Sequence, residues 1–122
     1  TWSPPTPTGS RYAGEVSYHL YDGVRGDQVA CAPEPGSTLY EPARLGYMVT
    51  ALSYTLFDTL GRGAVCGRCA RVSANGRAVT VKIIDRMTHP TRLLDLSEQA
   101  FAELAPTEQG VVQVQFDIVD CP

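Results

Sequence analysis

Leu52-Ser53-Tyr54-Thr55-Leu56-Phe57 and Leu96-Ser97-Glu98-Gln99-Ala100-Phe101 share the pattern Leu-Ser-x-x-x-Phe. In each, the serine stands where a helix N-cap accepts a backbone N–H from the first turn. The leucine before it and the phenylalanine four residues after it form a hydrophobic staple. Both stretches therefore predict a short helix starting directly after a strand. Glu98 lies in the first turn of the second helix, near the positive end of the helix dipole, and Pro106 supplies a stop. Two strand-helix units in one small β-rich chain point to internal pseudo-symmetry. A closed barrel leaves neither unit with an open sheet edge.

Strand signals flank both units. From Gly14, Val16, Tyr18 and Leu20 alternate with Ser17, His19 and Tyr21 up to the turn pair Asp22-Gly23. Residues 23 to 46 follow as a long Gly/Pro-rich loop containing Cys31, and a loop of that length needs a function or a tether. Met48 to Leu52 and Cys69 to Ser73 read as short strands, with Asn75-Gly76 forming a type I′ hairpin turn into the next one. There Val79, Val81 and Ile83 point one way, Thr80 and Lys82 the other. A last half-buried strand alternates Val112, Val114, Phe116 and Ile118 with Gln113, Gln115 and Asp117.

The whole chain has 122 residues, enough for one core and too few for two. Residues 1 to 10, with three prolines and one aromatic, Trp2, read as a flexible lead-in to a single domain over 11 to 122. Ten Lys plus Arg against 13 Asp plus Glu give a net charge of -3, which argues against duplex nucleic acid and anionic membranes as partners. No apolar run approaches the ~18 residues of a bilayer span, and TWSPPTPTGS lacks the form of a signal peptide, so the sequence reads as soluble and already processed. Four cysteines in a small Gly/Pro-rich chain fit two disulfides of an exported domain better than cytosolic thiols. Cys66-Gly-Arg-Cys69 has the spacing of half a zinc site, but Cys31 and Cys121 stand alone and no second pair completes it. Nor does the pair open a helix, as a thioredoxin-type redox pair would, since Cys69 runs into the strand-like Ala-Arg-Val. No metal and no cofactor are expected.

Val16-Ser17-Tyr18-His19, Cys66-Gly67-Arg68-Cys69-Ala70-Arg71-Val72, Ile84-Asp85-Arg86, Leu94-Asp95-Leu96 and Val119-Asp120-Cys121, in that order, resemble the secreted double-psi β-barrel superfamily. Its members include barwin, the N-terminal domain of expansins, the family 45 endoglucanases and the rare-lipoprotein-A domain. The likeness runs from Tyr12 to the end, and barwin carries the most similar motifs. It implies an all-β, six-stranded double-psi β-barrel with two short helices. It also implies one of three possible disulfide connectivities, Cys31 to Cys66 and Cys69 to Cys121. Met87 stands where barwin has a cysteine of a third bridge, and no cysteine between Cys31 and Cys66 offers that residue's partner.

The resemblance also selects site residues. The aspartate of the Leu-Asp-Leu-Ser motif, here Asp95, lies in the family's open groove, where expansins need it and endoglucanases use it as general acid. The first repeat has Ala51 at the equivalent place, so symmetry and capping alone do not demand a carboxylate. The competing reading of Asp95 is a solvated carboxylate kept ionised by the helix dipole and unable to donate a proton. Asp85 resembles a second groove acid, with an ion pair to Arg86, Arg68 or Arg71 as its alternative. Ser17, Tyr18 and His19 complete the candidate binding set, and Asp95, Asp85 and His19 are the candidate catalytic residues.

Departures from the family pattern argue against catalysis. Expansins carry His-Phe-Asp where this chain has Leu93-Leu94-Asp95, and Met87 replaces an aromatic. The first strand offers Ser17, Tyr18 and His19 where the endoglucanases place a catalytic base. Barwin-type RNA cleavage is linked to two histidines; His19 matches the first, but Val111 holds the second position, and His89 reads as a solvated loop residue. The expectation is therefore a secreted, monomeric, non-catalytic barrel that binds extracellular cell-wall polysaccharide in a groove around Asp85 and Asp95. Tyr18, Tyr21, Tyr40, Tyr47 and Trp2 are candidate sugar-stacking faces, although strand tyrosines are more often core. The alternative is a secreted inhibitor of papain-like cysteine proteases acting through the exposed loop 32 to 47, since small bacterial papain inhibitors share the barrel and a preorganised loop loses little entropy on docking.

Overall fold

A computed structural model describes residues 12–122, so the flexible segment expected over 1 to 10, with Trp2, lies outside the described residues. Six strands, β1 (Tyr12–His19), β2 (Val49–Ser53), β3 (Cys69–Ala74), β4 (Arg77–Met87), β5 (Leu94–Ser97) and β6 (Val112–Val119), close into a barrel in the order β1-β5-β2-β4-β3-β6. β1 pairs with β5 and β2 with β4 in parallel; every other neighbour is antiparallel. Alternation along the strands sends Val16, Leu52, Val72, Val81, Ile83, Leu94, Leu96 and Phe116 into one interior cluster, capped by Phe57 and Phe101 from the two helices.

Both predicted helices form: α1 (Tyr54–Leu60) and α3 (Glu98–Ala102). Ser53 Oγ accepts the Leu56 N–H at 3.3 Å and Ser97 Oγ accepts the Ala100 N–H at 3.1 Å, which are the caps that the repeat implies. α3 ends before Pro106, and a third helix, α2 (Arg62–Val65), adds a single turn between α1 and the CGRC stretch. The hairpin turn forms as read, with Asn75 and Gly76 at φ 54° and 75°.

The repeat is a true local twofold. Equating Leu52 with Leu96 and Ser53 with Ser97 makes Ala51 the mate of Asp95 and Thr50 the mate of Leu94. In the antiparallel β2·β5 ladder Ala51 lies opposite Asp95, while Thr50 opposite Leu96 maps onto Leu94 opposite Leu52. The axis therefore passes through the Ala51–Asp95 pair. It also exchanges Ser17, which neighbours Asp95 on β1, with Asp85, which neighbours Ala51 on β4.

One irregularity positions the site. The β2·β4 register shifts between Thr50, opposite Ile83, and Ala51, opposite Asp85, leaving Ile84 as a bulged extra residue. Because Ile83 points into the barrel, strict alternation would carry Asp85 inward too. One inserted residue reverses that parity and turns Asp85 out. Ile84 instead joins Tyr21, Val29 and Val49 in a second, outer cluster beneath the β1–β2 loop. Beyond the end of β1 the expected pattern also fails: Leu20 is 55% exposed and Tyr21, covered by the outer cluster, only 3%.

Both bridges pair as the resemblance implies, Cys31 with Cys66 and Cys69 with Cys121. Gly67, at φ 82°, reverses the chain between the end of α2 and the start of β3, so the two CGRC cysteines reach different partners. Among the described residues no helix is long and apolar enough to cross a membrane.

Candidate functional site

Interior residues flank Ser17, Asp95 and Ala51 on their own strands, so these three share the outer face, and the bulge adds Asp85. The register therefore lines up Ser17, Asp95, Ala51 and Asp85 side by side across β1, β5, β2 and β4. At the ordinary strand spacing this row spans about 14 Å. Like charges directly opposite each other destabilise a ladder, so alanine at the axis accommodates its carboxylate mate.

Asp95 is half-buried. The Ser17 hydroxyl donates to its Oδ1 at 3.4 Å, a long bond. Burial, foremost, pushes its pKa above the usual carboxylate value and Asp85 adds to the rise, while His19, the Ser17 hydroxyl and His89 pull the other way. The structure departs from the reading of Asp95 as a fully solvated carboxylate in that its side chain is half-buried.

Asp85 does different work. Its Oδ1 accepts the Ala30 N–H at 2.9 Å and the Arg86 N–H at 2.8 Å, anchoring the loop residue that precedes Cys31. The ion pair to Arg86, Arg68 or Arg71 considered for it does not form. Arg86 makes a two-pronged pair with Asp58 on α1, at 2.9 and 2.7 Å, with its guanidinium 5.7 Å from the Tyr54 ring centre, and Arg68 pairs with Asp120 at 3.1 Å. Arg86 in turn holds the exposed Asp58 carboxyl below its usual pKa, chiefly by hydrogen bonding.

His19 lies two residues beyond Ser17 on the same face of β1, exposed, with its ring edge-on to Tyr21 at 5.1 Å. Tyr18 points the other way and packs on Phe101 at 5.0 Å, so the structure does not bring it to the row. Tyr21 is no exposed sugar platform either: its hydroxyl donates to the Asp95 carbonyl at 2.9 Å, and burial, then the charges of Asp95 and Asp85, raise its pKa far above the phenol value. Tyr40 and Tyr47 are partly buried against the outer cluster. His89 is exposed as read, but its charge reaches Asp95, which no spacing in the sequence signals. Tyr21 as a buried neighbour of both acids is equally invisible to sequence reading.

Among the described residues no group of three or more His, Cys, Asp or Glu could hold a metal ion. A hollow of about 390 Å³ lies elsewhere, lined by residues that include Tyr12, Leu60, Val65 and Ile118, and shares no residue with the row. The row itself lies on the outer face of the barrel, where Ser17, Asp95 and Asp85 are each partly exposed.

The chain is 32% identical over 89 residues to an EG45-like domain-containing protein of Arabidopsis thaliana, covering 63% of this chain and 70% of the relative. Among solved structures it resembles an expansin of Clavibacter michiganensis in complex with cellohexaose, at 21% identity and TM-score 0.69 over 90% of this chain, and spans half the length of that expansin. It also resembles a Streptomyces papain inhibitor, at 26% identity and TM-score 0.66 over 88% of this chain and 93% of that one. The model of a double-psi β-barrel family described as lytic transglycolase matches residues 49–116, more than half of the sequence and the part that holds β2 through β5 with both repeat units, and the chain belongs to that family.

Proposed function

We propose that this chain is a secreted, non-catalytic barrel that binds cell-wall polysaccharide across the open row of Ser17, Asp95 and Asp85, beside His19. The observation that carries the reading is Asp95: a half-buried carboxyl on the outer face of the barrel, beside the Ser17 hydroxyl and the exposed His19, whose oxygens accept hydrogen bonds from sugar hydroxyls. The expansin solved with cellohexaose and the glycan chemistry in the family's description support a sugar chain as the ligand class. Glycoside hydrolysis by inversion requires a second carboxylate free to activate water. Asp85 has two backbone N–H groups on one oxygen, which opposes that role.

The test is retention of the protein on insoluble cellulose, chitin and peptidoglycan, with Asp95→Asn beside it. Weaker retention of the variant is expected, and equal retention overturns the groove as the site. Soluble sugar released above a heat-killed control would overturn the non-catalytic part.

One observation favours a second reading, inhibition of a papain-like protease. The Streptomyces inhibitor matches nearly end to end, and the loop between β1 and β2 is rigidly braced. Gly36 N–H donates to Asp27 at 2.9 Å, Arg44 to Thr38 at 2.9 Å, and Leu39, 59% exposed, stands at the surface. Papain inhibition that survives Asp95→Asn and is lost when residues 34 to 41 are altered would establish this reading instead.

A further inference from the structure

The twofold leaves a question at its axis. Asp95 and Ala51 are mates, yet the space beside Ala51 is not open groove, since Ala51 is only 4% exposed. Tyr21 comes in from the β1–β2 loop at this point. Its hydroxyl is bonded to the Asp95 carbonyl, its ring edge lies on His19, and its other neighbours are Val29, Val49 and Ile84 of the outer cluster. The loop is fastened here from three sides. Asp85 holds the Ala30 N–H, Ile84 C=O accepts the Cys31 N–H at 3.1 Å, and Arg62 donates to the carbonyls of Ala30 and Ala32 at 3.2 and 2.9 Å. One Asp85 carboxylate oxygen is thus committed to the protein's own backbone, whereas the side of Asp95 holds the exposed His19 and the Ser17 hydroxyl, both acids being partly exposed.

We infer that Tyr21 is the positioning residue of the row: its ring stands at the axis between the Asp85 side, committed to the loop, and the Asp95 side, and shields the Asp95 carboxyl from water on the side of the axis. A short stretch of ligand is then read on the Asp95 side, and loss of the ring merges the two sides. The groups that bear on Asp95 are Ser17 and His19 from β1, Tyr21 from the loop, Asp85 from β4 and His89 from the β4–β5 connection. Burial is the largest influence on this carboxyl, and Tyr21, itself almost fully buried, is the large side chain bonded to its residue. The ligand side of the inference rests on the polysaccharide-binding reading; the shielding of Asp95 does not.

The experiment is a carboxyl-carbon NMR titration of Asp95 in the wild type, Tyr21→Phe and Tyr21→Ala, each alongside retention on insoluble polysaccharide. The wild-type midpoint is expected above the ordinary ~3.9. Tyr21→Phe keeps it raised because the ring remains, and Tyr21→Ala returns it toward the ordinary value. If Tyr21→Ala does not fold, Tyr21→Leu carries the comparison with a smaller fall. A wild-type midpoint at or below the ordinary value overturns the inference, as does an undiminished midpoint in the folded Ala or Leu protein, or a fall already complete in Tyr21→Phe. Absence of retention by every protein, wild type included, defeats the binding reading while leaving the titration to judge Tyr21.

Discussion

Replacing Cys69 and Cys121 together by alanine unties the start of β3 from the chain just beyond β6, across a sequence separation of 52. In the chain-entropy treatment, a cross-link closing a loop of that length destabilises the unfolded chain by about 4 kcal/mol. That is a large part of the 5 to 15 kcal/mol typical of a domain, roughly a 15 °C fall in Tm. The bridge Cys31–Cys66, at separation 35, gives only about 0.3 kcal/mol less because the dependence is logarithmic. Urea unfolding of the two paired variants should therefore show nearly equal losses. Hydrogen exchange should separate them. Around Cys31 the hydrogen bonds that Asp85 and Ile84 accept from the Ala30 and Cys31 N–H groups, and those that Arg62 donates to the Ala30 and Ala32 carbonyls, remain after the sulfurs are gone, so the Ala30 and Cys31 amides stay protected. At the other end, Val119 opposite Cys69 and Ile118 opposite Ala70 are followed only by the exposed Arg68–Asp120 pair, worth little in water, so these amides exchange faster. A loss below about 1 kcal/mol for either variant, or a difference above about 2 kcal/mol between them, refutes the chain-entropy reasoning.

Asp95→Asn tests the buried carboxyl without any ligand. A folded-state pKa raised above the unfolded one means that the folded state holds the proton longer, so stability falls as pH rises from the unfolded value of about 3.9 through the folded midpoint and stays lower above it. The variant should gain Tm relative to wild type at pH 7 and lose that advantage at pH 3; the opposite order contradicts the assignment. Ser97→Ala removes the cap of α3 at a fully buried position and should cost about 1 kcal/mol in urea midpoint analysis, with no loss contradicting the capping role. Asp85→Ala should speed amide exchange at Ala30 and destabilise by about 1.5 to 3 kcal/mol, as expected for a hydrogen bond to a charged acceptor, while Asp85→Asn keeps an acceptor and loses less; equal effects would count against the anchor.

Local chemistry carried much of the fold into the sequence. Ser53 and Ser97 fix helix starts through contacts three residues away, Asn75-Gly76 fixes a turn through two positive φ angles, and alternation marks the inward side of β3, β4 and β6. These signals act within a few residues, so a linear reading captures them. The single turn of α2 carries no such signal and was missed. Asp95 was legible as the odd member of a repeat, but its neighbours Tyr21 and His89 were not, because loops bring them across from positions with no fixed spacing to it.

The sequence by itself determined the two capped strand-helix units, the hairpin and the supply of four cysteines. Only the tertiary structure decided that the bulge at Ile84 turns Asp85 outward, that Leu20 is exposed while Tyr21 is buried, and that Asp85 is tied to the backbone of the β1–β2 loop. The physical reason is that register across strands and the burial of a carboxyl depend on partners far away along the chain. Shifting one residue between strands reverses every side chain beyond it without changing a single local preference.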